Sequence, residues 1–364
     1  MKEYRTEEYR IYSDKVLNAA LSGKLDQADD AFDKYASLAN SLSAMGKSSE
    51  EIKTALEKII PGMALSATEL GSVRAAVERV LPLLVSGQIR EILPRNRFRK
   101  VRAVDVSVSR TPSDHILLDG VGTVAIAFHR SLPDNAHVYR VSLKSDCYGE
   151  RFYLVYSYFF EQADIAPHPI NPDNVVGIDY KQDGLYVDSN GNSAGYPGFR
   201  QQGREKLLRY YENAQRFRKG SRRWMKHQRR LGKYEQHIDR QRADWQYKKA
   251  GELSRNCDAV CQETLDFRAM IRANPTLAPK IYDNDLPSFS KKLTKKMGEQ
   301  GKKVVRISRY YPSSQICSYC GNNFGPQPLD LRSFACPFCG TAIDRDLNAA
   351  RNIKEEGIRL LMAA

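Results

Sequence analysis

The chain has 364 residues, of which 41% are hydrophobic, a composition typical of a globular protein with two or three domains. No apolar run approaches the ~20 residues that a membrane-spanning helix needs, and the densely charged residues 1–15 do not resemble a secretory signal. The formal net charge of +14 favours a polyanionic partner, either a nucleic acid or an anionic membrane surface.

The N-terminal quarter of the chain has the hydrophobic spacing of helices. Over residues 7–92, apolar side chains recur three or four positions apart, beginning with Leu17, Leu21 and Leu25. A capping box, Ser66-Ala-Thr-Glu69, predicts the start of a further helix. We therefore expect a helical lobe over residues 1–97.

Residues 98–160 alternate apolar and polar side chains instead. Short apolar segments near 104–108, 121–128, 138–143 and 152–159 are separated by turns, which predicts antiparallel strands in a small barrel or sandwich. Prolines at 167, 169 and 172 then mark a linker. The expected β-barrel domain covers residues 98–166.

Two apolar strands in the second half of the chain end in carboxylates. Val175–Asp179 has a hairpin partner at Gly184–Asp188, and a second strand over 258–263 ends in Glu263. A carboxylate at a strand end is common in turns, so neither residue is informative alone. A third carboxylate, Asp346, opens the C-terminal helix, where the helix dipole favours its ionised form. Together the three can hold two Mg²⁺ ions about 3.5–4 Å apart, as metal-assisted phosphodiester hydrolysis requires.

A densely basic segment, residues 200–255, lies between these two strands, with tryptophan and tyrosine rings that offer stacking faces to bases. Most charge runs are only solvated helices, but the strong excess of basic over acidic residues in this one favours contact with nucleic acid. The candidate contact residues are Arg216, Arg218, Arg222, Arg223, Trp224, Lys226, Arg229 and Arg230.

Two CxxC pairs near the C-terminus have the spacing of a zinc ribbon. Cys317 and Cys320 form the first pair and Cys336 and Cys339 the second, and a glycine that allows a tight turn follows each. Two disulfides or buried thiols are the alternatives. The other three cysteines, at 147, 257 and 261, show no framework spacing, which fits a reducing cytoplasm.

The motifs and their order resemble those of TnpB, the transposon-encoded RNA-guided DNA endonucleases related to compact type V CRISPR effectors. Val176-Gly-Ile-Asp179 resembles the first RuvC motif, and Cys261-Gln-Glu263-Thr-Leu265 resembles the second. The cysteine pairs followed by Asp344-Arg-Asp346-Leu-Asn348 resemble the target-nucleic-acid-binding ribbon and the third motif. One departure is Lys181, which stands where many relatives have glycine.

The resemblance implies an α+β multidomain protein, in which the helical lobe and β-barrel precede an RNase H-like (RuvC) α/β domain. That domain would cover residues 174–310 and 343–364, with the zinc ribbon over 311–342 inserted. By motif, Asp179, Glu263 and Asp346 would be the catalytic magnesium ligands, with Asp346 preferred to Asp344. Arg332 could reach the scissile phosphate, but the sequence fits an ordinary exposed arginine without this role equally well.

The implied activity is Mg²⁺-dependent cleavage of guide-matched double-stranded DNA beside a short motif, with a guide RNA and structural Zn²⁺. The alternatives are a nuclease-silent RNA-guided DNA-binding regulator and a zinc-ribbon DNA-binding protein without RNA. A prokaryotic cytoplasmic protein acting at the nucleoid is expected. The oligomeric state is open.

Overall fold

The computed structural model describes residues 2–59, 62, 64–95, 98–110, 115–161, 165–328 and 331–363. The fold is mixed α/β and divides into two compact units. One consists of Met1–Ala163 and Arg209–Lys233, and the other of Asp164–Leu208 and Tyr234–Ala364. None of the helices in the described ranges combines the length and apolar character needed to cross a bilayer.

The first unit contains a seven-stranded antiparallel sheet that curls into a half-barrel, with the strand order β2-β6-β7-β1-β5-β4-β3. This sheet confirms the strands predicted between residues 98 and 160. Its strands are β1 (Lys2–Tyr12), β2 (Arg102–Asp105), β3 (Val108–Arg110), β4 (Ile116–Leu118), β5 (Gly122–Ile126), β6 (His137–Asp146) and β7 (Arg151–Glu161).

Strand β1 differs from the expectation that residues 7–12 are helical and that a helical lobe occupies residues 1–97. It pairs with β7 from Lys2 opposite Glu161 to Arg10 opposite Tyr153. Its local sequence is rich in charge, and burial is concentrated at Tyr9 and Ile11. The strand is therefore specified by long-range pairing, which the local hydrophobic pattern does not reveal.

Four helices pack against this sheet in the first unit, α1 (Lys15–Ala44), α2 (Ser49–Lys58), α3 (Ala67–Glu78) and α4 (Leu81–Val85). The capping box predicted at Ser66 and Glu69 is confirmed at the start of α3. Glu69 is fully buried and also forms an ion pair with Lys24 of α1. Its carboxylate thus caps the N-terminus of α3 and also pairs with a buried cation.

The second unit contains a four-stranded sheet in the order β11-β10-β8-β9. The strands are β8 (Val175–Lys181), β9 (Leu185–Asp188), β10 (Ala259–Glu263) and β11 (Lys303–Ile307). Strand β10 is parallel to both β8 and β11, whereas β9 is the antiparallel hairpin partner of β8. These strands confirm the two predicted apolar strands: β10 ends in Glu263 as expected, whereas β8 continues two residues beyond Asp179 to Lys181. Because β8 and β10 are parallel neighbours, their carboxyl ends lie at the same edge.

The remaining helices are α5 (Phe199–Gln202), α6 (Arg204–Gln215), α7 (Arg222–Asn256), α8 (Phe267–Ala273), α9 (Ala278–Asn284), α10 (Leu286–Gly298) and α11 (Arg345–Met362). A two-stranded ribbon, β12 (Ser333–Ala335) with β13 (Ala342–Asp344), precedes α11. The division between the units falls within α6 and α7. Residues 209–233 therefore group with the first unit, although the predicted nuclease domain 174–310 includes them.

Candidate active site and metal centre

Glycine allows α11 to lie very close to the sheet of the second unit. A Cβ atom on Gly177 of β8 would lie 2.1 Å from the carbonyl oxygen of Ala350. A Cβ atom on Gly357 would lie 2.1 Å from the Sγ atom of Cys261 in β10. Both distances are shorter than any real carbon contact, so a side chain at either position would displace the helix. These contacts set the position of α11, and its first turn carries Asp346.

The three predicted carboxylates come together at the carboxyl ends of β8 and β10. Gln262 pairs with Ile178, so the next residues along the two strands are Glu263 and Asp179. Asp346 joins them from α11, and all three line a cleft of about 420 Å³. Three separate elements therefore contribute acidic side chains to one small volume.

Burial raises the pKa of Asp179 well above its ordinary value, and the negative charges of Glu263 and Asp346 raise it further. Burial also raises the pKa of Glu263, while the hydroxyl of Ser313, which donates a hydrogen bond to that carboxylate, opposes the shift. Carboxylates that repel one another in a cleft are stabilised in their ionised form by cations. A donor set made only of carboxylate oxygens fits a hard divalent ion such as Mg²⁺.

Two cationic side chains contact Asp346. The Nζ atom of Lys181 lies 2.7 Å from Oδ2, and the Nη1 atom of Arg332 lies 3.2 Å from Oδ1. Arg332, predicted as a phosphate contact, is thus placed at the cleft with a side chain that is 63% exposed. The contact made by Lys181 was not predicted, because its partner is distant in sequence.

Asp344 and Asp346 have different surroundings. The side chain of Asp344 accepts a hydrogen bond from the backbone N–H of Leu347 at 2.9 Å and so caps α11. Asp346 is the member of the pair that lines the cleft.

Two buried asparagines of α11 support the site, and sequence reasoning gave neither a role. Asn348 accepts from the backbone N–H of Ser318 at 2.8 Å and donates to the carbonyl of Ile316 at 2.7 Å. Asn352 donates to the carbonyls of Ser313 and Ile316. The segment that leads into the first cysteine pair is therefore held against α11. The Asn348-Ala-Ala-Arg351-Asn352 spacing, one helical turn, was the available signal.

The four predicted cysteines form one cluster. The sulfur atoms of Cys317, Cys320, Cys336 and Cys339 all lie within 4.8 Å of one another. The separations of 3.7 Å between Cys317 and Cys339 and 3.9 Å between Cys320 and Cys336 match the ~3.8 Å edge of a tetrahedron with Zn–S bonds of ~2.3 Å. In the described part of the chain, no other three His, Cys, Asp or Glu ligand atoms cluster in this way, so the carboxylates that line the cleft are spaced more widely than the sulfurs.

The two cysteine knuckles have the same backbone geometry. Gly321 donates to the carbonyl of Cys317 and Gly340 to that of Cys336, each at 2.9 Å. Both glycines have positive φ, 72° and 71°, as the sequence predicted for tight turns. The hydrogen bond with the Thr341 side chain lowers the pKa of Cys339 to about 6, which favours the metal-binding thiolate. The cluster can bind a metal such as zinc.

The predicted nucleic-acid contacts of the basic segment lie in the first unit, between the end of α6 and the first half of α7. The cationic side chains among these candidate contacts are exposed except for Arg229, which is half-buried. Trp224 is only 8% exposed, and its ring packs edge-on against Phe98 and Tyr148 at centroid distances of 5.7 and 6.0 Å. The tryptophan therefore anchors α7, and base stacking on it stays a prediction.

Two family models match the chain: Probable transposase over residues 157–274 and Cas12f1-like, TNB domain over residues 287–353. A Streptomyces pristinaespiralis protein, whose name proposes an RNA-guided DNA endonuclease, is 31% identical over 233 residues, 64% of this chain and 56% of that protein. A TnpB-like protein of Acanthamoeba polyphaga mimivirus is 30% identical over 129 residues, 34% of this chain and 24% of that protein.

Among solved structures, a chain of a Cas12f1–sgRNA–target DNA complex matches with a TM-score of 0.54 at 11% identity, over 97% of this chain and 99% of that one. This similarity shows a shared fold. The chain spans 56% of the length of the Streptomyces relative and 24% of the mimivirus relative. The matched families and relatives confirm the resemblance of the chain to TnpB-type proteins that its motifs indicate.

Proposed function

We propose that this chain is an RNA-guided DNA endonuclease with a RuvC-type, RNase H-like nuclease domain. The observation that carries the proposal is the convergence of Asp179, Glu263 and Asp346 from three elements in one cleft. The RNA-guided DNA endonuclease named among the relatives and the matched TNB domain support the same activity.

The three carboxylates would hold two Mg²⁺ ions, which when bound lower the pKa of a water molecule and stabilise the leaving 3′-oxygen of a phosphodiester. Asp179 and Glu263 are fixed by their strands, and Ser313 orients Glu263 through its hydrogen bond. Arg332, a lining residue of the cleft with an exposed side chain, would contact the scissile phosphate. The products would carry 5′-phosphate and 3′-hydroxyl ends.

Sequence recognition would come from pairing between a guide RNA and the target DNA, with the protein reading backbone shape and a short adjacent motif. The exposed cations of residues 216–230 suit contact with nucleic-acid phosphates. The four cysteines would hold a structural Zn²⁺. The free thiols elsewhere suit the reducing cytoplasm of a prokaryote, where the protein would act on DNA.

The test uses the chain co-expressed with its flanking non-coding DNA and purified with any bound RNA. Mg²⁺-dependent cleavage is measured on a plasmid library that carries the guide-matched target beside a randomised motif. Asp179→Ala should abolish cleavage and retain DNA binding. Asp173→Ala is the matched control, because this exposed carboxylate lies just before β8 and is not among the residues that line the cleft.

Cleavage confined to matched targets beside one motif, and absent from the Asp179→Ala protein, would support the proposal. Bound RNA without cleavage by the native chain would favour the nuclease-silent regulator. A preparation free of RNA would contradict the guided function.

A further inference from the structure

We propose that, in the metal-free protein, the ammonium group of Lys181 occupies the position at the Asp346 carboxylate where a metal ion would bind. A divalent cation would then bind there only by displacing the lysine ammonium group. The inference rests on the proposed function, because it concerns the same carboxylate cleft. It adds a coupling between metal binding and the arrival of nucleic acid.

The position of Lys181 follows from strand geometry. It is the last residue of β8 and lies two positions beyond Asp179, so the two side chains leave the strand on the same face. Its Nζ atom lies 2.7 Å from Oδ2 of Asp346. With Arg332 on Oδ1, both oxygens of this carboxylate have a cation at hydrogen-bonding distance. A metal ligand needs at least one of these oxygens.

The two cations differ as competitors for the metal. The side chain of Arg332 is 63% exposed, whereas that of Lys181 is 36% exposed and Asp346 is 12% exposed. Ion pairs at exposed positions are weak and screened by salt, while less exposed pairs are screened less. Displacement of Lys181 by a metal ion should therefore cost more free energy than displacement of Arg332.

The charges of the cleft balance without metal. Among the described lining residues, the carboxylates of Asp179, Glu263 and Asp346 face Lys181, Arg332 and Arg345, and the further carboxylate of Asp183 pairs with Lys280. Two divalent ions added alone would leave an excess of positive charge. A phosphodiester supplies negative charge and gives the Lys181 ammonium group a new partner.

Metal and nucleic acid should therefore bind cooperatively in this protein, and by linkage each should tighten the binding of the other by the same factor. Lysine at position 181 is what makes this coupling strong, since a neutral side chain there would leave Oδ2 of Asp346 available to a metal at all times.

The experiment titrates the zinc-loaded full chain with Mn²⁺ in the absence of nucleic acid and measures free Mn²⁺ by electron paramagnetic resonance. Lys181→Met keeps the aliphatic stem and removes the charge, and should tighten Mn²⁺ binding on the order of tenfold. Lys181→Arg keeps the charge and should bind as the native chain does. Arg332→Met, at the more exposed cation, should give a smaller gain.

Addition of a single-stranded oligonucleotide should tighten Mn²⁺ binding by the native chain more than by Lys181→Met. Equal affinities of the native chain and Lys181→Met without nucleic acid, or equal tightening with it, would overturn the proposal. Thermal midpoints identify any variant that fails to fold, and Lys181→Gln then repeats the measurement.

Asp346→Asn distinguishes failure of this inference from failure of the proposed function. If Asp346→Asn binds Mn²⁺ as the native chain does, the carboxylate cleft is not the metal site and both fail. If it loses binding while Lys181→Met is unchanged, the metal site stands and only the role of Lys181 fails.

Discussion

The side-chain amide of Asn352 donates hydrogen bonds to the carbonyl oxygens of Ser313, at 2.7 Å, and Ile316, at 2.6 Å. Ser313 in turn donates from its hydroxyl to the carboxylate of Glu263. A buried residue of α11 is thereby linked to the carboxylate at the end of β10. The helix that carries Asp346 also helps to position Glu263.

Asn352→Ala should lower both stability and cleavage. Two carbonyl acceptors would lose a buried donor, which costs about 1–3 kcal/mol. Glu355→Ala, on the exposed face of the same helix, is the control and should change little. Thermal denaturation and the cleavage rate of each variant check the prediction. Native stability and rate in Asn352→Ala would show that the link from α11 to Glu263 is dispensable.

Gly177→Ala should disrupt the nuclease site, because its new methyl group would lie 2.1 Å from the carbonyl oxygen of Ala350. Helix α11 would have to shift and carry Asp346 with it. We expect destabilisation of about 1–3 kcal/mol, as for an overpacked core, and loss of cleavage. Gly298→Ala is the matched control, since its Cβ would meet no atom within 4 Å. Equal melting temperatures and rates for the two variants would contradict the close approach.

Local patterns in the sequence predicted strands β8, β9 and β10, the capping box at Ser66 and the cysteine cluster, because each is specified by residues near one another in the chain. Strand β1 and the contact between Lys181 and Asp346 were not predictable in this way. β1 depends on pairing with β7, and the ion pair joins residues brought together only by α11 crossing the sheet. The placement of β1 and of the Lys181 side chain is therefore set by tertiary contacts rather than by local motifs.

Asp179 should destabilise the metal-free protein at neutral pH. Its folded-state pKa lies above the ordinary 3.8, chiefly through burial. An acidic group whose pKa is higher in the folded than in the unfolded state stabilises the protein at pH values below its unfolded-state pKa. This contribution is lost as the pH rises through the folded-state pKa. Asp179→Asn should therefore raise the thermal midpoint at neutral pH by about 2–4 °C and flatten its fall with rising pH.

The measurement is thermal denaturation of the metal-free native and Asp179→Asn proteins in steps from about pH 4, near the ordinary carboxyl pKa, up to about pH 7. Added Mn²⁺ should stabilise the native chain and have less effect on the variant. A variant less stable than the native chain at neutral pH would contradict the repulsion inferred among the three carboxylates.

The cysteine cluster should hold about one zinc ion per chain. Cys317→Ser should abolish it, because Cys317 supplies one of the four clustered sulfurs. Cys257→Ser is the control, since this thiol is buried elsewhere and donates to the carbonyl of Leu253. Metal analysis by mass spectrometry of each purified protein gives the stoichiometry. Retention of zinc by Cys317→Ser would place the ion at another site.

Replacement of Trp224 should affect stability, whereas replacement of its neighbour Arg223 should affect RNA binding. Trp224 is buried against Phe98 and Tyr148, so Trp224→Ala should lower stability by about 3–5 kcal/mol. Arg223 is exposed, so Arg223→Met should leave the thermal midpoint unchanged and weaken RNA binding. If Arg223 contacts one phosphate, the slope of log binding constant against log salt should fall by about 0.7–0.9.

Filter binding of RNA between about 50 and 200 mM salt, with thermal denaturation of both variants, separates the two roles. Weaker binding by Trp224→Ala at full stability would show that the ring contacts a base rather than anchoring α7. An unchanged salt slope in Arg223→Met would remove that residue from the nucleic-acid surface, and a flat slope in the native chain would remove the basic segment as a whole.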